Sequence, residues 1–262
     1  MPDVKINEVL GLQPPAGCSL PGPVRHERSD AGYDDATGAP AVCPNRRHAG
    51  SDEKGGTARC NVPASSHPSS LFADNLLSMT EALLLVDVQN DYFPGGEKEL
   101  PGMDAAAANA AGLLAAFRES GRPVFFVRHV ATRPGATFFL PGTPGAEIHG
   151  SVRPLSREQV VEKNRPNSFP GTNLAALLAA EGVTELVICG AMSQMCIDAT
   201  TRAARDLGYA CTVIADACAA CDLTFGGVAV PAGMVHASFM AALDGTYARV
   251  TTAGEYLRRP AR

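Results

Sequence analysis

From about residue 80 onward the chain alternates short apolar runs with longer segments of helical period. Leu83-Leu84-Leu85-Val86-Asp87-Val88 is continuous apolar text broken only by an aspartate. A run of that kind fits a strand buried on both faces, as in a parallel sheet, and not a half-buried alternating one. Residues 104–120 are rich in Ala and Leu and are followed by Gly121, which predicts a helix with a C-terminal stop. Further strands are predicted at 123–129, at 160–163 (a short edge strand), at 186–189, at 210–215 and at 248–251. Helices are predicted over 172–181, capped by Thr172 or Asn173 and ended by Gly182, over 195–207 before Gly208, and over 230–243 and 254–258. Strands alternating with helices predict an α/β fold: a parallel sheet with right-handed crossovers and helices on both faces. Residues 130–157 are rich in Gly and Pro and lack a period, and a loop of that length is usually functional.

The text before residue 79 is different. Residues 1–78 hold nine of the twenty prolines, and no helical or strand period survives there. Such composition buries too little apolar surface to offset the entropy of ordering, so this segment is expected to be a disordered extension. Met79-Thr80-Glu81 resembles a natural protein start. Met79 is therefore expected to be the true initiator, with 1–78 an over-extended frame or dispensable tail, which the intact mass of the native protein tests. Residues 79–262 then suit one domain.

Charge and composition narrow the partners. The formal net charge of -5 and the lack of a basic stripe argue against a nucleic-acid partner. No apolar run approaches the roughly 18–20 residues that span a bilayer, so no membrane partner is expected. Met1 to Leu20 shows no secretory signal, and a soluble cytoplasmic protein is the expectation. The eight cysteines, at 18, 43, 60, 189, 196, 211, 218 and 221, are expected to be reduced thiols in that compartment.

In α/β sheets, sites form beyond the carboxyl ends of the strands. Asp87 stands there in the first run. It either caps a turn or is a buried acid–base group, because an unpaired buried carboxylate costs several kcal/mol. The run 186–189 leads through Gly190-Ala191-Met192-Ser193-Gln194-Met195 into Cys196. With Ser193 as N-cap, Cys196 falls in a first helical turn, where the dipole and free N–H groups would lower its pKa and could hold an oxyanion. Lys163 ends the run Val160-Val161-Glu162-Lys163 and alone reads as a surface lysine. Together the three form a chemical set: a thiol, a base for its proton, and a cation to steady both. Cys218-Ala219-Ala220-Cys221 has redox or metal spacing but no second pair. The doublets Gly95-Gly96 and Gly226-Gly227 read as chain turns.

The segments Leu84–Phe93, Glu162-Lys163 and Gly190–Arg202 resemble, in order and spacing, the isochorismatase-like cysteine hydrolase family, which includes nicotinamidase and N-carbamoylsarcosine amidase. The resemblance covers about residues 80–258. It implies a three-layer fold whose six-stranded parallel sheet has the order 3-2-1-4-5-6. It implies an Asp-Lys-Cys triad on Asp87, Lys163 and Cys196, and a non-proline cis peptide between Ala191 and Met192. The N–H groups of Met192 and Cys196 would hold the oxyanion. The metal motif of nicotinamidases, Asp-x-His, falls here on Val127-Arg128-His129. The missing Asp implies that no metal or other cofactor is used. Gln89, Tyr92, His129, Phe138 and Phe169 are candidates for the wall of a small-molecule pocket. The family also implies a homo-oligomer, dimer or tetramer.

The expected activity is cleavage of a C–N bond in a small amide-like substrate through a thioester. Isonitrile hydration or vinyl-ether hydrolysis on the same site is an alternative, although Cys196 argues against the second. A non-catalytic binding module on this fold, or a redox protein using Cys218 and Cys221, are the others.

Overall fold

A computed structural model of the chain describes residues 80–259. The expected disordered extension, the Met79 start and the three N-terminal cysteines lie outside the described residues. The strands are β1 (Thr80–Val86), β2 (Val124–His129), β3 (Gln159–Lys163), β4 (Val183–Ala191), β5 (Ala210–Ala219), β6 (Leu223–Phe225), β7 (Val228–Val230) and β8 (Arg249–Thr251). The α-helices are α1 (Met103–Glu119), α2 (Leu174–Ala180), α3 (Asp198–Asp206), α4 (Ala232–Leu243) and α5 (Ala253–Leu257).

The main sheet has the order β3-β2-β1-β4-β5-β8, and its pairings are all parallel. Because β6 and β7 form a separate antiparallel pair, β8 is the sixth strand of the sheet, and the order is the expected 3-2-1-4-5-6. The apolar runs explain the arrangement. Leu83, Leu84, Leu85 and Val86 on β1, and Leu186, Val187 and Ile188 on β4, are all fully buried or nearly so. Strands without a polar face belong in the middle of a sheet covered by helices. Helix α1 supplies Ala106, Ala110, Leu113, Leu114 and Phe117 to the core.

From β1 the chain adds β2 and β3 on one side, then returns to place β4 on the other. The carboxyl ends of β1 and β4 therefore diverge into a crevice, the usual ligand position in such sheets. No helix among the described residues is long and apolar enough to cross a membrane.

The structure differs from the expectation in three places. Strands β4 and β5 run further than 186–189 and 210–215, with a register shift between Ile188 and Gly190. The exposed hairpin β6–β7 was not anticipated; it turns on Gly226 and Gly227, both at positive φ. The segment expected as one helix from 195 begins as a wide turn. There Ile197 N–H donates to the Met192 carbonyl at 3.2 Å, a five-residue spacing, before α3 follows. The long loop is held from below. The buried Asp91 carboxylate accepts from Phe139 N–H at 2.5 Å and from Glu97 N–H at 3.3 Å.

Gly190 lets β1 and β4 approach. Its φ is +126°, and a Cβ there would overlap the Val86 carbonyl oxygen. Both the backbone angle and the contact favour glycine. Gly190→Ala is expected to destabilise the fold by about 3 kcal/mol or more, read as a lower urea midpoint at unchanged slope. An unchanged midpoint would show that the two strands have slack the structure does not display.

Candidate active site

Three sheet strands and one turn deliver the site. Asp87 follows β1 with φ +53°, a left-handed conformation uncommon for a residue with a Cβ. Its N–H donates to Val127 at 2.9 Å, which ties it to β2. Such an outlier costs about 1–2 kcal/mol and points to a constrained, working position. Lys163 ends β3, in register with His129 at the end of β2. Cys196 sits in the turn after β4.

These residues meet. Lys163 Nζ donates to Asp87 Oδ2 at 2.6 Å, and neither side chain has any exposed surface. The same Nζ lies 3.3 Å from Cys196 Sγ and 3.3 Å from His129 Nδ1. A charged ammonium has only donors, so His129 Nδ1 is an acceptor and its proton sits on Nε2. The other Asp87 oxygen, Oδ1, is buried without a hydrogen-bond partner. A buried orphan acceptor is costly, and an Asp87 oxygen and Cys196 Sγ lie within 4.8 Å of each other.

Burial pushes the Cys196 thiol well above its ordinary value, and the Asp87 carboxylate pushes it further, while Lys163 pulls down less strongly. That corrects the expectation of a thiolate favoured by a helix dipole. Desolvation and a neighbouring anion outweigh the turn and favour the thiol form. Burial would lower Lys163, but the Asp87 carboxylate, with the contact to Cys196, outweighs it, and the ammonium is held above the usual range. Burial and Lys163 both lower His129, which keeps its ring neutral. Burial, then Cys196 and Asp87, raise Tyr92.

Cys196 opens onto a cavity of about 200 Å³. Tyr92, His129 and Phe138 line it, with Phe139, Met192 and Met195. Two other expected wall residues lie elsewhere. Gln89 is fully buried behind the site: its Nε2 donates to His129 O (2.8 Å) and Ala146 O (2.7 Å), and its Oε1 accepts from His129 N–H (2.7 Å). It fixes the end of β2 and does not face the cavity. Phe169 stacks on Tyr209, with ring centroids 6.2 Å apart, and is absent from the lining. The sequence reading missed Phe139, Arg133, Asn164 and Met195; two of these, Arg133 and Phe139, lie in the 130–157 loop that was already suspect. Two larger hollows, of about 610 and 800 Å³, are not lined by Cys196.

The Ala191–Met192 peptide is cis. The Met192 carbonyl accepts from Met195 N–H at 3.0 Å and from Ile197 N–H at 3.2 Å. Ser193 is not a side-chain cap. Its hydroxyl donates to Ala219 O at 3.1 Å and lies 2.9 Å from His236 Nδ1. Asp87, His129 and Cys196 offer donor atoms within 4.8 Å of one another, a spacing that could hold a metal ion. Lys163 Nζ already contacts all three residues, so an incoming cation would meet an ammonium at its centre. The donor set fits the lysine better than a metal.

The five described cysteines are unpaired and buried. Burial pushes Cys218 up to about 12, the opposite of a reactive dithiol. Cys221 Sγ accepts from Gln194 Nε2 at 3.1 Å.

Residues 81–253 match the isochorismatase domain. An uncharacterised isochorismatase family protein of Bacillus subtilis, YddQ, is 53% identical over 180 residues, covering 69% of this chain and all of that one. Maleamate amidohydrolase of Pseudomonas putida is 33% identical over 147 residues, covering 51% of this chain and 69% of that enzyme. A crystal structure from Oleispira antarctica, assigned to the isochorismatase hydrolases, superposes with a TM-score of 0.67 at 52% identity, covering 70% of this chain and 98% of that one. The chain belongs to the isochorismatase family, and it is a hydrolase of that family.

A resting thiol has a measurable consequence. In the ligand-free protein, alkylation of Cys196 by iodoacetamide, read by peptide mass mapping, is expected to be slower at pH 7 than that of a free thiol. Its rate should still be climbing above pH 9, because only the thiolate reacts and its pKa is raised. A plateau below pH 8 would mean a preformed thiolate.

Proposed function

We propose that the protein is a cysteine hydrolase that cleaves the C–N bond of a small amide-like substrate through a thioester on Cys196. The observation that carries this reading is the contact of one buried ammonium with both a carboxylate and a thiol. The maleamate amidohydrolase likeness supports the amide class.

Asp87 takes the thiol proton as Cys196 Sγ attacks the amide carbonyl. Negative charge passes from the carboxylate to the sulfur and on to the carbonyl oxygen. Lys163 contacts both ends of the first transfer, so no net charge is created in the buried site and the cost of the raised thiol pKa is reduced. The N–H groups of Met192 and Cys196 receive the oxyanion. The protonated Asp87 then gives its proton to the leaving nitrogen as the C–N bond breaks, which leaves an acyl thioester. Water, deprotonated by Asp87, attacks that thioester; the acid leaves and the thiol re-forms. His129, neutral and 3.3 Å from Lys163, helps to aim the ammonium.

The test is a screen of small primary amides, ureas and lactams with the wild type beside Cys196→Ala and Asp87→Asn. Release of ammonia or amine is expected, abolished by Cys196→Ala and lowered about 10²–10⁴-fold in kcat by Asp87→Asn. With an isonitrile added to the screen, its conversion to an N-formyl product would indicate isonitrile hydration instead. Full turnover by the Cys196→Ala protein would remove the covalent mechanism.

A further inference from the structure

One group on the cavity wall is idle in this mechanism. Arg133 lines the cavity beside Tyr92, Phe138, Asn164 and Cys196. Its backbone is fixed. Arg133-Pro134-Gly135-Ala136 forms a turn in which Ala136 N–H donates to Arg133 O at 3.3 Å and Gly135 has φ +77°. Proline second and a positive-φ glycine third are the requirements of a type II turn. The loop is closed at its base by Ala131 N–H donating to Phe139 O at 2.8 Å.

Among the described residues Arg133 has no ion-pair partner. The glutamates of the surrounding segment are committed: Glu147 and Glu162 to Arg128, and Glu158 to Arg118. No acidic side chain lines the cavity. Lys163 is balanced by Asp87. His129 is neutral because burial and Lys163 lower it, and Tyr92 and Cys196 are neutral because burial raises them. What remains is one permanent positive charge, carried by a guanidinium whose fork matches a carboxylate. The volume of about 200 Å³ is small. It falls below the roughly 300–1,000 Å³ of drug-sized sites and corresponds to about seven water molecules.

We propose that Arg133 binds a carboxylate on the substrate, so that the site prefers short amides bearing a terminal carboxylate to neutral amides of the same length. This inference rests on the amide-hydrolase reading and names its substrate class. Succinamate and butyramide are a suitable pair of probes, because they share the primary amide and chain length and differ in the terminal charge.

Two measurements test it. In turnover, the wild type should favour succinamate over butyramide in kcat/KM by about 10- to 100-fold, the range of a charge-assisted hydrogen bond. Arg133→Ala should remove most of that ratio through KM, and Arg133→Lys should retain part of it. Because Arg133 is exposed, added salt should shrink the ratio as well. In binding, calorimetry with the Cys196→Ala protein should show succinamate held more tightly than butyramide, and the added Arg133→Ala should erase the difference. Equal binding of the two amides, or an Arg133→Ala effect that is the same for both, overturns the carboxylate assignment even where amide cleavage is intact. Binding selectivity without amine release from any amide would instead overturn the hydrolase reading and leave Arg133 as an anion contact.

Discussion

The site is organised around one buried ion pair. Lys163 and Asp87 meet at 2.6 Å with no solvent on either side chain. Pairs of this kind repay little of their desolvation cost as stability, and replacing them with apolar residues is often neutral or stabilising. Removing one partner is different, because it strands a charge in the interior. The pair is therefore better understood through what it does for a third group. It places a cation against Cys196 Sγ and leaves a carboxylate oxygen, Oδ1, unpaired. Burial and the adjacent carboxylate favour the protonated form of that sulfur.

The fold exists at this point because of strand order. Asp87, His129 and Lys163 stand at the carboxyl ends of three neighbouring strands, β1, β2 and β3, while Cys196 follows β4 on the far side of β1. Gly190 lets β4 come close to Val86, and the wide turn at 193–197 brings Cys196 to the cavity wall. Behind the working side chains, Gln89 anchors the end of β2 and Asp91 anchors Phe139. The loop that carries Arg133 and Phe138 is thus tied to the segment that follows β1 and carries Asp87.

Much of this was legible in the sequence, for identifiable reasons. The central strands β1 and β4 have no polar face, and that alone places them inside a parallel sheet. Three separated segments, around Asp87, Lys163 and Cys196, carried the resemblance from which strand order and site membership follow. Features decided by tertiary contact were not legible. The direction of the Cys196 pKa depends on how completely the sulfur is desolvated, which no local pattern reveals. Gln89 and Phe169 have plausible spacing for a pocket wall, but backbone partners 40 and 57 residues away turn Gln89 inward, and Tyr209 draws Phe169 aside. Ser193 looked like a cap, yet its partner is His236 on a later helix. The hairpin was a different kind of miss. Gly226-Gly227 between two short apolar stretches is a recognised two-residue hairpin signal. Its strands are exposed, with Phe225 87% accessible, so the search for buried runs passed over them.

Central to this account is a covalent bond between the substrate acyl group and Cys196. Acid-quenched samples taken during turnover of an amide, digested and weighed by mass spectrometry, examine that bond directly. The Cys196 peptide should gain the mass of the substrate less its amine, and hydroxylamine added to the reaction should divert product to the hydroxamate. Continued amide cleavage with that peptide unmodified and the product unchanged by hydroxylamine would contradict it.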